Sequence, residues 1–255
     1  MPKLRHTDWP DRLWIVRHGQ SAGNVARDTA ESNGLELIDL AVRDADVALS
    51  DLGTQQATAL AHWFADKPAV ERPNIFMSSP FLRAQQTCMA VAREVRFDED
   101  DVQIDERLRE KEFGILDRYT RHGILAKFPE LAAQRKLVGK FYFRPPGGES
   151  WCDVILRLRS LLEVLRRDHV GDRVLIVGHQ VIVNCFRYLL ECMCESEVLA
   201  IDAKGDVPNC GVTEYAIDRA APDARFGLVQ ANLALPLIEA GAPVTTAPDK
   251  PAGPK

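Results

Sequence analysis

Short apolar runs alternate with longer periodic segments along most of this chain. Residues 13–16, 74–77 and 174–177 are mostly apolar and lie between turn-forming or small residues, a pattern typical of buried strands. Between these runs, apolar residues recur every three or four positions, which places them on one face of a helix. The clearest helical segments are 57–64, 81–95, 155–165 and 181–190. The alternation predicts an α/β fold, a three-layer sandwich with a mostly parallel central sheet flanked by helices.

The two ends of the chain differ in composition from its middle. Residues 1–12 are polar and are predicted to be a flexible leader. Residues 233–255 are rich in Ala, Pro, Thr and Lys and are predicted to be a disordered tail. The sequence therefore predicts one folded domain over residues 13–232. Its last two strands are predicted at 212–217 and 226–229, with an edge hairpin as one arrangement.

One internal segment, residues 27–47, is rich in charge and longer than a simple loop requires. Such a segment is predicted to form either a lid over a site or an interface between subunits. A homodimer is therefore compatible with the sequence.

The overall composition narrows the range of functions. Among 255 residues, 46% are hydrophobic and 27% are charged, as is usual for a soluble enzyme, and a net charge of -5 disfavours a nucleic-acid partner. The sequence shows neither a signal peptide nor a run that could cross a membrane, so a cytoplasmic location is expected. Six cysteines are expected to be reduced core residues, and no metal site is expected because Cys192 and Cys194 are too closely spaced for zinc.

The three best predicted strands share a feature at their carboxyl ends. Each is followed by a polar segment and then directly by a helical pattern: Arg-His-Gly at 17–19, Ser-Ser-Pro at 78–80 and Gly-His-Gln at 178–180. Ligands of parallel sheets bind beyond the carboxyl ends of the strands, and helix N-termini favour anions. The sequence therefore predicts an anion-binding site where these three segments meet.

Five motifs in a fixed order carry a family resemblance. They are RHGQS with Asn24, LSDLGTQQA at 49–57, SSPFLRAQQT at 78–87, LRE at 108–110 with Gly114, and GH at 178–179. Together they resemble the histidine phosphatase superfamily, which has the phosphoglycerate mutase-like fold, over about residues 13–217. The resemblance is closer to the phosphatase branch of that superfamily.

The resemblance implies a role for each of five catalytic residues. His18 is expected to be the nucleophile, attacking phosphorus through a neutral imidazole nitrogen. Arg17 and Arg83 are expected to hold the phosphate through their planar guanidinium groups. His179 is expected to hydrogen-bond the transferring phosphoryl group as an imidazolium. Glu110 is expected to protonate the leaving oxygen and later to activate water.

Further residues are expected around these five. If Glu110 is not the acid, Glu112 is the next candidate on the same loop. Substrate-binding positions are expected at Asn24, Gln20, Ser21, Tyr142, Arg144 and Gln180.

The segment 141–150 bears on the type of reaction. It resembles the corresponding stretch of phosphatases in the superfamily, and the basic residues expected of a cofactor-dependent mutase are largely missing. We therefore expect a metal-independent phosphomonoester hydrolase that acts on a small phosphorylated metabolite through a phosphohistidine, needs no cofactor and binds neither nucleic acid nor membrane. Cofactor-dependent phosphoglycerate mutase activity is the alternative within the enzyme class. A non-catalytic phosphoester-binding protein is the alternative outside it.

Overall fold

A computed structural model describes residues 8–218 and 226–246. Within them, six strands form one sheet: β1 (Arg12–Arg17), β2 (Ile75–Ser78), β3 (Gln103–Ile104), β4 (Arg173–Gly178), β5 (Val212–Ile217) and β6 (Phe226–Leu233). Their spatial order is β3-β2-β4-β1-β5-β6. Strand β3 was not predicted from the sequence, because its two residues are exposed and carry no apolar pattern.

The direction of the strands divides the sheet into two parts. Strands β1, β4, β2 and β3 are mutually parallel, with Leu13 of β1 opposite Val174 of β4. Strand β5 is antiparallel to both β1 and β6. The predicted mostly parallel sheet is therefore confirmed, and the two late strands form an antiparallel pair at its edge.

Nine α-helices lie in the described part of the chain. They are α1 (Ala22–Ser32), α2 (Asp51–Ala65), α3 (Leu82–Glu94), α4 (Arg121–Lys127), α5 (Pro129–Val138), α6 (Trp151–Asp168), α7 (Gln180–Leu190), α8 (Glu195–Lys204) and α9 (Leu235–Glu239). None of these helices combines the length and the apolar character that crossing a bilayer requires.

Helices cover both faces of the sheet because residues of β1 alternate between them. Leu13 and Ile15 pack with α6 and α7 on one face. Trp14 and Val16 pack with α2, α3 and α9 on the other. Burial of each large apolar side chain contributes about 1.5–3 kcal/mol, so the two interfaces account for much of the driving force for folding. The predicted three-layer sandwich is confirmed.

A third, smaller apolar cluster lies apart from the two main ones. It consists of Leu116, Ile124, Ala132 and Phe143 and involves α4, α5 and the loops on either side of them. This cluster holds together the part of the chain between β3 and α6, for which the sequence predicted no regular elements.

Both ends of the predicted domain extend further than the sequence indicated. Trp9, in the predicted leader, is buried and stacks on Phe226 with ring centroids 4.9 Å apart. In the predicted disordered tail, α9 inserts Leu237 into the apolar core. Gln56 donates to the Pro243 carbonyl at 2.8 Å, which fixes the chain after α9. Residues 1–7 and 247–255 lie outside the described residues.

The exposure of the cysteines also differs from the expectation. All six are free thiols, and Cys88, Cys185 and Cys210 are buried as predicted. Cys192 and Cys194 are exposed because they lie in the turn between α7 and α8, where the chain leaves the core.

Candidate active site

Strands β2, β4 and β1 are neighbours in the sheet, so their carboxyl ends meet at one edge. Helices α1, α3 and α7 begin directly after these strands, and their N-cap residues are Ser21, Phe81 and His179. Three helix N-termini therefore lie at the same edge, as predicted. Their backbone N–H groups and dipoles favour an anion there.

The turn after β1 depends on two glycines. A Cβ atom on Gly19 would lie 2.6 Å from the Gly53 carbonyl oxygen, and one on Gly53 would lie 1.8 Å from the Gln20 carbonyl oxygen. No larger residue fits at either position without moving the backbone. This close approach holds the loop that carries His18 against the start of α2.

The tautomer of His18 follows from its two hydrogen bonds. Nδ1 lies 2.7 Å from the carbonyl oxygen of Gly19, which can only accept, so Nδ1 carries the proton. Nε2 accepts from Arg83 Nε at 3.3 Å and therefore carries the lone pair. The backbone of His18 is fixed as well, since Asn209 Nδ2 donates to its carbonyl at 3.0 Å.

Two buried arginines lie next to His18. Arg83 donates from Nη1 to the backbone carbonyl of Asp44 at 2.6 Å and from Nη2 to its carboxylate at 3.1 Å. Arg17 donates from Nη1 to Gln180 at 3.1 Å and to the carbonyl of Val207. The guanidinium of Arg83 is thus engaged by an internal carboxylate.

His179 and Glu110 form the other side of the site. Glu110 Oε2 lies 3.6 Å from Nδ1 of His179, while Nε2 of His179 is hydrogen-bonded to the Ser79 hydroxyl at 2.8 Å. The rings of His18 and His179 have centroids 5.1 Å apart, although the two residues are far apart in sequence. The structure therefore brings together Arg17, His18, Arg83, Glu110 and His179.

The loop that carries Glu110 is held by Glu149. The Glu149 carboxylate accepts from Arg109 at 2.6 Å, from Arg157 at 3.0 Å and from the backbone N–H of Glu112 at 3.1 Å. The side chain of Glu112 is 51% exposed and lies near Arg109. Of the two acid candidates, the structure thus directs Glu110 toward His179 and Glu112 toward solvent.

Burial and charge both act on the two histidines. Burial, together with the nearby Arg83 and Arg17 guanidiniums, lowers the pKa of His18 well below its usual value. Burial is also the main reason why the pKa of His179 is lowered, with Arg83 adding to the effect. Both shifts favour the neutral ring in the phosphate-free site, whereas the imidazolium expected at His179 concerns the site with a phosphoryl group bound, and that expectation stays a prediction. An arriving phosphate dianion would raise both pKa values.

We call the buried residues Arg17, His18, Arg83 and His179 the floor of the pocket, and residues 27–47 and 113–118 its rim. His18 and Arg83 line the pocket directly, and Arg17 and His179 are buried beside them. The rim contributes Arg27, Ile38, Leu40, Asp44, Phe113, Asp117 and Arg118 to the pocket wall. Residues 27–32 are part of α1, while the rest of the segment is irregular apart from one 3-10 turn at Asp44–Asp46, and several of its residues line the pocket. This arrangement is consistent with the lid predicted from the sequence.

The expected substrate-binding residues are distributed unevenly. Ser21 and Asn24 line the pocket and also form the capping box of α1, in which Asn24 Oδ1 accepts from the Ser21 N–H at 3.0 Å. The side-chain oxygen of Gln180 accepts a hydrogen bond from Arg17, and its amide N–H₂ donates to Asp206 at 2.8 Å. Gln180 therefore positions the arginine. Gln20 is hydrogen-bonded to Ser50 at 2.7 Å, at the start of α2.

Tyr142 and Arg144 lie outside the pocket. The side chain of Arg144 forms an ion pair with Asp153 in the first turn of α6. Tyr142 is 54% exposed, and the neighbouring Glu195 of α8 raises the pKa of its hydroxyl. Neither side chain lines the pocket, and their partners lie on α6 and α8. The expectation that they contact a substrate stays a prediction.

Comparison with known families agrees with this geometry. Residues 13–226 match the histidine phosphatase superfamily (branch 1). This match covers most of the chain and includes all five catalytic candidates. The chain belongs to the histidine phosphatase superfamily.

Individual relatives of this superfamily member include both phosphatases and mutases. The bifunctional protein Rv2228c of Mycobacterium tuberculosis is 29% identical over 83% of this chain and 52% of its own length, so this chain spans about half of that relative. A 2,3-bisphosphoglycerate-dependent phosphoglycerate mutase of Sinorhizobium fredii is 29% identical over 77% of this chain and 87% of its own length. The native structure of a mycobacterial glucosyl-3-phosphoglycerate phosphatase has a TM-score of 0.66 at 25% identity, covering 88% of this chain and 99% of that one.

Several residues of this histidine phosphatase site were not assigned a role from the sequence. Ser79 lies within the second-arginine motif, but the motif alone does not show that its hydroxyl meets His179. Asp44 lies in the charged segment, where nothing distinguishes it from neighbouring acids. Asn209 precedes β5, far from any motif. Among the described residues, no group of three or more His, Cys, Asp or Glu is placed to hold a metal ion.

Proposed function

We propose that this protein hydrolyses phosphomonoesters of small metabolites through a phosphohistidine on His18, without a metal ion. The observation that carries the proposal is the fixed tautomer of His18. Its Nδ1 proton is held by the Gly19 carbonyl, and its Nε2 lone pair lies next to Arg83 in the pocket. A neutral imidazole with a defined lone pair is the form that attacks phosphorus.

In the first step, the Nε2 lone pair of His18 forms an N–P bond while the P–O bond to the leaving group breaks. The leaving alkoxide is strongly basic and needs a proton as it departs. Glu110, which lines the same pocket, donates that proton. The products of this step are the free alcohol and a phosphoryl group on His18.

In the second step, water attacks the phosphoryl group and Glu110 accepts the proton of the water. The N–P bond breaks, its electron pair returns to Nε2 of His18, and inorganic phosphate leaves. The Asn24 carboxamide N–H₂ at the start of α1 and the N-terminus of α7 provide donors for the equatorial oxygens.

Charge stabilisation in this scheme comes from side chains. The guanidinium groups of Arg83 and Arg17 lie near His18 and offset the negative charge of the transferred group. Their planar N–H groups can hold two phosphate oxygens each. For Arg83, the phosphate must first replace the Asp44 carboxylate.

Mutase activity is the second candidate, and the relative from Sinorhizobium fredii supports it. Hydrolysis is our first choice because the segment 141–150 resembles that of phosphatases. The similar mycobacterial structure is that of a glucosyl-3-phosphoglycerate phosphatase and supports the same choice. The cytoplasmic location and the homodimer stay predictions from the sequence.

One screen tests both candidates. A panel of phosphomonoesters is incubated with the purified protein in EDTA, with and without 2,3-bisphosphoglycerate, while free phosphate and isomerised product are measured. We expect release of phosphate in EDTA and inhibition by vanadate, which imitates the five-coordinate phosphorus. Activity that returns only on addition of magnesium or zinc would refute metal independence, and isomerisation that requires the bisphosphate would identify a mutase.

A further inference from the structure

The chain after α9 contacts residues that support the loop carrying His18. We call residues 243–245 the strap. The strap is hydrogen-bonded to Gln56 of α2 and to Asn209, which precedes β5, and both of these side chains are buried. It lies beyond residue 226, where the match to the superfamily ends. The strap is therefore a feature for which the superfamily match does not account.

Thr245 is the residue of the strap that joins these two side chains. Its hydroxyl donates to Oδ1 of Asn209 at 3.0 Å and accepts from Nε2 of Gln56 at 2.8 Å. A hydroxyl can do both at once, since it has one proton and two lone pairs. The Thr245 carbonyl also accepts from the backbone N–H of Asn209 at 2.9 Å, which holds the strap in place. One threonine therefore links two buried carboxamides.

The other ends of both carboxamides hold the backbone next to the nucleophile. Nδ2 of Asn209 donates to the His18 carbonyl at 3.0 Å, and Oε1 of Gln56 accepts from the Gln20 N–H at 2.8 Å. The Gln20 N–H belongs to the same planar peptide group as the Gly19 carbonyl. That carbonyl accepts the Nδ1 proton of His18, so the orientation of this peptide group sets the orientation of the ring.

The direction of each hydrogen bond is determined, starting from Gln56. Its N–H₂ group donates to the Pro243 carbonyl at 2.8 Å, which can only accept, so its oxygen faces the backbone N–H on the other side. The Thr245 hydroxyl accepts from the second N–H of Gln56 and therefore gives its own proton to the Asn209 oxygen. The Asn209 N–H₂ group then faces the His18 carbonyl. Thr245 thus transmits the orientation of one carboxamide to the other.

We propose that Thr245 is a positioning residue for the nucleophile His18, and this inference rests on the role proposed above for that histidine. Thr245 is not among the residues that line the pocket, and it acts through Asn209 and Gln56. Without its hydroxyl, the Asn209 oxygen and one Gln56 N–H lose their partner, and a buried polar group without a partner is costly. The carboxamides are then expected to shift, and the ring of His18 with them. A displaced nucleophile attacks phosphorus more slowly.

Kinetics of matched variants test the proposal. Thr245→Val removes the hydroxyl and keeps the shape of the side chain, so it should fold. With p-nitrophenyl phosphate, at a temperature well below Tm, we expect kcat to fall roughly tenfold and KM to stay within about twofold. Thr245→Ser keeps the hydroxyl and should restore most of the wild-type kcat. The control is Thr246→Val, which changes an exposed neighbour in the same way.

An NMR measurement reports the position of His18 without any turnover. In protein labelled with ¹⁵N-histidine, the Nδ1 proton of His18 should resonate far downfield, because it is hydrogen-bonded to a buried carbonyl at 2.7 Å. Loss of the signal in His18→Gln assigns it. Thr245→Val should shift or broaden this resonance, whereas Thr245→Ser and Thr246→Val should leave it in place.

The two measurements together decide the proposal. Wild-type kcat in Thr245→Val, or a His18 resonance that does not move, would overturn it. A lower Tm as the only change would overturn it as well, since the strap would then merely stabilise the fold. If the wild type hydrolyses no phosphomonoester, the proposed function fails, whereas the resonance still reports whether Thr245 positions His18.

Discussion

The floor and the rim of the active-site pocket are built in different ways. The floor consists of buried side chains at the ends of regular elements, each fixed by short hydrogen bonds such as that from His18 to Gly19. The rim consists mainly of irregular segments joined to one another, for example by Arg118, which donates to the Leu40 carbonyl at 2.9 Å. A floor of this kind determines the reaction, whereas the rim determines which molecule can present its phosphate.

The floor and the rim also differ in their electrostatic environment. Arg17 and Arg83 make the floor a strongly cationic, water-poor environment, where charge interactions are strong. The rim mixes charges, since Asp44 and Asp117 lie beside Arg27 and Arg118. Burial and the nearby Asp44 raise the pKa of Asp117. Substitutions in the floor should therefore affect every substrate, and substitutions in the rim should affect substrates unequally.

The largest effect is expected at the nucleophile. His18→Ala should lower kcat by ~10⁴-fold or more, because no other group on the floor is placed to accept the phosphoryl group. Acid quenching after incubation with a ³²P-labelled substrate should trap an acid-labile phosphoenzyme in the wild type and none in the variant. His62→Ala, on the exposed side of α2, is the control. A phosphoenzyme in His18→Ala would mean that another residue is the nucleophile.

The acid should show an effect that depends on the leaving group. Glu110→Gln keeps the shape of the side chain but has no proton to give, so alkyl phosphates should react about 10²–10⁴-fold more slowly. p-Nitrophenolate needs little protonation, so phosphorylation of His18 by p-nitrophenyl phosphate should be less impaired. Because dephosphorylation still needs a base, phosphoenzyme should accumulate.

Glu112→Gln is the matched control, since Glu112 lies on the same loop but is half exposed. We expect close to wild-type rates for this variant. If instead Glu112→Gln is slow and Glu110→Gln is not, the acid was assigned to the wrong residue.

The floor could be predicted from the sequence because it lies where apolar strands end. The motifs around His18, Arg83 and His179 follow three strands in which every residue after the first is buried, so their convergence requires only a parallel sheet. The lowered pKa of His179 in the phosphate-free site was not predicted, because it depends on burial and on the position of Arg83. Local sequence carries no information on either.

The rim could not be predicted in the same way, because its contacts join segments distant in sequence. Ile38 donates its backbone N–H to the Arg118 carbonyl at 2.8 Å, and no periodic pattern links these residues. Likewise, α9 is short and contains Pro236 at its start, so composition alone indicated disorder. Burial of Leu237 against α2 overrides that local preference.

The stability of the floor should depend on pH. Burial lowers the pKa of His18 and of His179 below 6.5, so the unfolded chain binds protons there before the folded chain does. The free energy of unfolding should therefore fall as the pH drops through 6.5, by ~1.4 kcal/mol per pH unit for each histidine, until the pH reaches the lowered pKa.

Urea unfolding between pH 7.5 and pH 5.5 measures this dependence. His18→Gln should remove about half of it, whereas His62→Gln, an exposed histidine, should change little. If the free energy of unfolding of His18→Gln depends on pH as steeply as that of the wild type, the floor does not hold a neutral histidine at position 18.

A smaller effect is expected where rim and floor meet. The Asp44 carboxylate accepts a hydrogen bond from Nη2 of Arg83 at 3.1 Å, so it competes with phosphate for that guanidinium. Asp44→Asn should weaken that competition and lower the inhibition constant of inorganic phosphate roughly fivefold, with kcat changed less. Asp46→Asn, which loses only the exposed pair with Arg43, is the control. Equal inhibition constants in Asp44→Asn and wild type would show that the carboxylate does not compete.

The smallest effect is expected beyond the rim, at Tyr142 and Arg144. Both side chains are directed away from the pocket, Arg144 by its ion pair with Asp153 and Tyr142 by its position near Glu195. Tyr142→Phe and Arg144→Gln should therefore leave kcat and KM within about twofold for small phosphomonoesters, since exposed substitutions without a ligand contact rarely change a site. A KM that rises only for bulky phosphomonoesters would extend the rim to residues 142–144. In that case binding of the substrate must break the Arg144–Asp153 pair, and Asp153→Asn should then lower KM for the same bulky esters.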